Sequence, residues 1–214
     1  FTIGADVTLG DRTNSGALTF GGAGALTSNV VVTVPSAVNW NGAVSGSGNL
    51  TKAGAGELTL GGANTYSGTT TVTDGTLTLS GGSAIVDAGS VTVTSPGILK
   101  LGASETIGSL AGAGGVNLQG NALTIGGASV TTYSGVMSGA TGSLVHSGTG
   151  TLTLSGVNTF GGGATVSGGT VLVGDNSAFG SGTIAVSGAT VASDSATNRV
   201  FTNGYSFGGA VTLG

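Results

Sequence analysis

The side chains that could do acid–base or metal chemistry are few enough to name. There are eight acids, Asp6, Asp11, Glu57, Asp74, Asp87, Glu105, Asp175 and Asp194, and four cations, Arg12, Lys52, Lys100 and Arg199. His146 is the single histidine, and cysteine is absent. A pair of carboxylates in one groove would suit glycoside or polyuronate cleavage, but the acids fall singly along the chain. A Ser–His–Asp arrangement would have to run through His146, which abundant Ser and Thr surround by chance. Zinc-type ligand spacing is missing. A calcium-binding β-roll needs Gly-Gly-x-Gly-x-Asp repeats, and Gly21-Gly22-Ala23-Gly24-Ala25-Leu26 lacks the acid. The expectation is therefore a protein that is not an enzyme, with no catalytic residue, no metal ligand and no cofactor.

Binding chemistry is equally sparse. Four scattered cations and a net charge of −4 give no basic patch for nucleic acid and no polybasic face for a membrane surface. No run approaches the roughly 18 apolar residues of a spanning helix. Five aromatic side chains could stack on sugars: Trp40, Tyr66, Tyr133, Phe160 and Tyr205. Trp40, beside Asn41-Gly42, is the candidate for a surface contact. Thr-x-Thr pairs such as Thr71/Thr73, Thr92/Thr94 and Thr151/Thr153 could form an ice-binding array only if every coil repeated them on one face, and the sequence supplies no such register.

The elements that must hold these residues are set by a repeat. Residues 48–79 return as residues 142–173 at a constant offset of 94, without a gap. Leu58 and Leu60 match Leu152 and Leu154; Asn64-Thr65-Tyr66 matches Asn158-Thr159-Phe160; Gly75-Thr76-Leu77 matches Gly169-Thr170-Val171. Internal repetition decides the fold class before any other signal. Forty-six glycines without a three-residue period, and only two prolines, exclude collagen. A chain with 38% hydrophobic residues and 6% charged ones is too apolar and too uncharged for intrinsic disorder.

The apolar period is two, in short β-branched runs separated by Gly, Asn, Asp or Ser, which reads as strands and tight corners and excludes helices. In Glu57-Leu58-Thr59-Leu60 and Thr76-Leu77-Thr78-Leu79 the leucines point in and the threonines out. Short strands, glycine corners and sequence repetition together predict an all-β chain, a right-handed parallel β-helix of roughly 20–25 residues per coil and about nine coils. The whole of residues 1–214 reads as one rod without a linker. The echo of Val7-Thr8-Leu9-Gly10 in Val211-Thr212-Leu213-Gly214 reads as mid-pattern ends of a longer repetitive polypeptide.

The run Leu50-Thr51-Lys52-Ala53-Gly54-Ala55-Gly56-Glu57-Leu58-Thr59-Leu60, followed by Asn64-Thr65-Tyr66-Ser67-Gly68 and Gly75-Thr76-Leu77, resembles the passenger-associated transport repeat. That repeat occurs in autotransporter passenger domains of Gram-negative bacteria. The second copy matches more loosely, with His146 in the place of Lys52. The resemblance implies an extracellular β-helix secreted through the outer membrane, commonly part of an adhesin or surface filament. The signal peptide and translocator barrel of such proteins are not seen in this sequence.

Comparing the copies weighs the candidate residues. Glu57 is replaced by Thr151 and Asp74 by Gly168, so both acids read as solvated strand or turn residues. Lys52 and His146 share a position, which reads as outward on a coil face. Tyr66 and Phe160 share another, so each ring is expected to cover the core at a corner where Asn64 or Asn158 bonds backbone. The expected function is an extracellular structural or adhesive rod at the bacterial cell surface. Its expected partners are copies of itself stacked end to end, or the rest of a longer chain, with surface glycans as a further candidate ligand.

Overall fold

Alternating apolar and hydroxyl side chains give strands of two to four residues, and the glycines between them turn the chain after each. The computed structural model describes residues 1–11, 13 and 16–214; Arg12 lies outside them. The described residues form strands and turns, with no helix. Every strand pairing among them is parallel and joins one coil to the next. The expected parallel β-solenoid is therefore the fold. It has about ten turns where about nine were expected. The reason is a tighter coil: pairings such as Val30 with Leu50, Leu50 with Thr70 and Leu123 with Leu144 close a turn in 20 or 21 residues.

Three walls run the length of the stack. The first starts with Thr2–Ile3, Gly24–Leu26 and Val44–Gly46. It then passes through two coils without strands, where Thr65 and Ser67 donate to the carbonyls of Val44 and Gly46. It resumes from Glu105–Ile107 to Tyr205–Gly208 as a six-stranded sheet. The second wall runs from Val7–Thr8 to Ser109–Ala111, crosses one bridge between Gly112 and Tyr133, and continues from Val130–Tyr133 to Thr212–Leu213. The third is a seven-stranded sheet from Leu18–Phe20 to Met137–Ser138.

Stacking places like on like. Leu58, Leu77, Leu99, Val116 and Met137 form one buried column of the third wall. Hydroxyls reinforce the backbone ladder. The carbonyl of Lys52 accepts both the N–H (2.9 Å) and the hydroxyl (3.1 Å) of Thr73, and that of Val72 accepts both from Thr94. Ser80 does the same to Leu60, and Ser181 to Phe160. Each such hydroxyl is tied to the coil beneath it.

Corners are where successive coils come closest. A Cβ on Gly156 would fall 1.9 Å from the carbonyl oxygen of Gly135, and one on Gly48 1.9 Å from that of Ser28; one on Gly21 would meet nothing within 4 Å. Gly156→Ala and Gly48→Ala are each expected to lower stability by on the order of 2 kcal/mol or more, because backbone must move. Gly21→Ala is expected to stay within about 0.5 kcal/mol of the parent. Urea titrations followed by circular dichroism check this, and equal midpoints for the three variants would refute it.

Candidate functional site

Lys52 and His146 point inward, contrary to the outward position expected for them: Lys52 is 0% and His146 2% exposed. Parity explains the correction. Each lies two residues beyond an inward leucine, Leu50 or Leu144, on the same strand, Leu50–Ala53 or Ser143–His146. Lys52 stacks between Val32 and Val72. Its ammonium donates to the carbonyls of Gly54 (2.6 Å), Asp74 (2.9 Å) and Ala53 (3.2 Å), so it closes a corner across two coils. Burial pushes its pKa down to about 8, opposed by the charge of Asp74.

His146 stacks between Ile125 and Val166. Its Nε2 lies 3.4 Å from the carbonyl of Gly150, so in the neutral ring Nε2 carries the proton and donates. Nδ1 is buried without a partner. Burial holds the imidazole below its ordinary pKa, and the Gly150 contact opposes this. The ring bonds a backbone carbonyl and no hydroxyl, so no serine nucleophile is activated here.

Asn64 and Asn158 bond backbone as expected, but across coils and not within their own turn. The N–H of Val44 donates to Asn64 Oδ1 at 2.7 Å, and Asn64 Nδ2 donates to the carbonyl of Ala84 at 2.7 Å. Asn158 repeats this with Met137 N–H (2.7 Å) and the carbonyl of Ala178 (2.6 Å). Each amide thus stitches three coils where the strand ladder is interrupted. Glu105 takes part of this role, accepting the N–H of Ile85 on Oε1 at 2.7 Å. Its other oxygen is buried without a partner, and the side chain is 2% exposed. Burial raises the carboxyl above its ordinary pKa; the backbone donors Ile85 and Ala84 oppose this, and the charge of Asp87 adds to it. Sequence reasoning left Glu105 among the scattered acids. No sequence match marks it, since it resembles the asparagines only through its register in the stack.

The rings divide sharply. Tyr66 and Phe160 are buried at matching corners, as expected, with the Tyr66 hydroxyl 2.7 Å from that of Thr70. Tyr133 is buried and donates to the carbonyl of Gly114. Trp40, expected at the surface, is 1% exposed. The correction again follows from alternation: Val38–Trp40 buries its first and last residues, and the indole stacks between Phe20 and Leu60, with the Phe1 ring 5.4 Å away. Only Tyr205 of the five is exposed, at 70%, paired with Phe207 at 5.3 Å.

Four further charged groups pair near the surface. Glu57 accepts the Thr78 hydroxyl and meets Lys100 at 3.3 Å across two coils; Arg199 holds Asp194 at 2.9 Å. The Thr78 hydrogen bond does most to hold the Glu57 carboxyl below its ordinary value, Lys100 assists, and burial opposes both. Among the described residues no three His, Cys, Asp or Glu side chains are grouped to hold a metal ion, and no helix is long and apolar enough to cross a membrane. Thr71 stacks on Thr92, but the same outward row holds Val31 at one end and Ala111 at the other. Asn64, Asn158, Lys52 and Tyr133 satisfy backbone groups of the interior.

Comparison with known proteins places this geometry. The passenger-associated-transport-repeat family matches residues 50–79 and 144–173. The chain is 39% identical over 97 residues to the adhesin BmaC autotransporter of Brucella suis biovar 1 (strain 1330), a stretch covering 44% of this chain and 3% of that protein. No solved structure matches the chain significantly.

Asn64→Ala and Asn158→Ala are each expected to cost about 2–4 kcal/mol, since each strands one buried N–H and one buried carbonyl; chemical denaturation checks this, and losses below about 1 kcal/mol would refute the stitching role. Glu105→Gln keeps the Oε1 acceptor for the Ile85 N–H and removes the buried ionisable carboxyl. Because the folded carboxyl titrates above its ordinary value, its stabilising contribution is full in acid and lost as pH rises through that raised value. The variant should therefore unfold at a higher temperature than the parent at neutral pH, with the advantage fading towards about pH 4. An advantage independent of pH would contradict the assignment.

Proposed function

We propose that the chain is a non-enzymatic section of an autotransporter passenger, exposed outside a Gram-negative cell as a stiff structural and adhesive rod. One observation carries this reading: the buried polar groups of the repeats, His146 Nδ1 apart, are used within the stack. Hydroxyls bond the coil below, the two repeat asparagines stitch three coils each, and the Lys52 ammonium closes a corner. Rigidity comes from that in-register ladder, and short corners offer proteases little to cut. Likeness to an adhesin of which the match covers 3% supports reading these coils as part of a longer rod.

Pairing of coil ends is the means of extension we infer. The layers Tyr205–Gly208 and Thr212–Leu213 flank an apolar cavity of about 580 Å³ lined by Tyr205, Phe207 and Leu213, which a further strand layer would cover. Such an edge accepts another strand layer. The echo of Val7 in Val211 falls on the same wall but four residues out of register. The column of Val7 runs through Val32, Lys52 and Val72 to Tyr133, Leu154 and Ser193, whereas Val211 lies beside Ala189. A second copy would therefore dock as a coil layer and not by matching that motif.

Negative-stain imaging and sedimentation of the purified chain test the proposal. Narrow rods of about 50 Å are expected from about ten layers at strand spacing, with end-to-end filaments at high concentration. Monomers without fibres would remove self-association and leave the rod. Release of reducing ends from polyuronates would overturn the non-enzymatic reading. Binding on a glycan array would shift it to a carbohydrate-binding stalk.

A further inference from the structure

The two copies of the repeat build related corners around different side chains. Gly75 has φ of +60° and Gly169 +58°. A Cβ on Gly75 would lie 2.4 Å from Gly54 O and 2.5 Å from Gly56 O; one on Gly169 would lie 2.6 Å from Gly148 O and 2.3 Å from Gly150 O. Gly75 and Gly169 thus turn alike, while Gly54 turns with φ of +78° and its match Gly148 does not have a positive φ; in the first copy the carbonyls of Ala53, Gly54 and Asp74 hold the Lys52 ammonium. In the second copy the residue aimed into that corner is His146. Its ring reaches one carbonyl, at 3.4 Å, and leaves Nδ1 buried with nothing to bond.

We propose that the His146 corner is an acid-sensitive joint of the rod, closed around a neutral imidazole and opened locally when the ring takes a second proton. A proton on Nδ1 would place a charge and an unmatched donor among Ile125, Val166 and the leucines of the core. No countercharge faces it. The packed strands Ala122–Ile125, Ser143–His146, Thr151–Leu154, Ala164–Val166 and Thr170–Val173 hold no other ionisable side chain, and the place of Asp74 is taken by Gly168. The acids nearest along these walls are Asp175, beyond Thr170–Val173, and Glu105, two coils before His146 on the first wall. The Lys52 corner behaves differently, because its cation already has three acceptors and Asp74 nearby.

The sign follows from linkage. The opened imidazole titrates near its ordinary value and the closed one below it, so the open form binds more protons as pH falls. Stability is complete above the ordinary imidazole range and is lost below it, with the opening equilibrium rising by up to about tenfold per pH unit.

Hydrogen exchange by mass spectrometry tests this on the whole chain, at about pH 7.5 and about pH 5, with rates corrected for intrinsic exchange. Expected is a loss of protection in acid confined to residues 143–173, with residues 50–79 unchanged. His146→Gln, which cannot take the charge, and His146→Lys, which restores the ammonium, should both abolish the response. If His146→Lys does not fold, His146→Gln carries the test alone. Acid opening that is absent, uniform along the rod, or retained in His146→Gln would overturn the proposal.

Discussion

Each coil must find its hydrogen bonds in the coil directly above and below, one strand spacing away. The rest of the structure depends on that constraint. With successive layers about 4.8 Å apart, a corner has no room for a side chain where one carbonyl sits under the next backbone. This is why Gly48 and Gly156 carry none. A coil of 20 or 21 residues also encloses a narrow interior, which Leu, Val and Ala columns fill. Large rings are admitted at corners, as with Tyr66 and Phe160, or stacked on one another, as with Phe20 and Trp40.

The same constraint decides which polar groups can be inside. A polar side chain is tolerated where the ladder has a gap it can bridge, since a buried group without a partner is costly. Asn64 and Asn158 fit because a primary amide both accepts and donates, matching an N–H below and a carbonyl above. Lys52 fits because three carbonyls converge on its corner. Glu105 and His146 occupy comparable gaps with one function short, and each leaves a buried atom unpaired. The composition follows: a chain rich in Gly, Ser, Thr and Asn and poor in charge is what a ladder with many corners can absorb.

Much of this was legible in the sequence. Period-two alternation gave the strands, and the repeat with its glycine corners gave the parallel solenoid. The inward rings of Tyr66 and Phe160 followed from their shared position. The misreadings have one origin. Lys52, His146 and Trp40 read as outward from their repeat position or their neighbours, although Leu50, Leu144 and Val38 two residues earlier fix them inward by parity. In a strand stacked on both sides, parity outranks residue character. Glu105 was beyond reach for another reason. Its role depends on which N–H of an irregular coil lies beneath it, and that register is set by the stack and not by any local pattern.

The two copies of the repeat do not lie above one another. Leu50 and Leu58 belong to the second and third walls, while Leu144 and Leu152 belong to the first and second. Asn64 lies on the first wall and Asn158 on the third, where Thr159 bonds the carbonyl of Met137. An offset of 94 residues at 20 or 21 per turn is about four and two-thirds turns, so the second copy is rotated by one wall. Two surface sites built from equivalent residues would face different directions and could not grip one extended ligand side by side. A corner, by contrast, works on any wall, because it needs only the coil before it and the coil after it. Repetition of this kind preserves what closes the stack, and it leaves the residue in the corner free to differ, as an ammonium in one copy and an imidazole in the other.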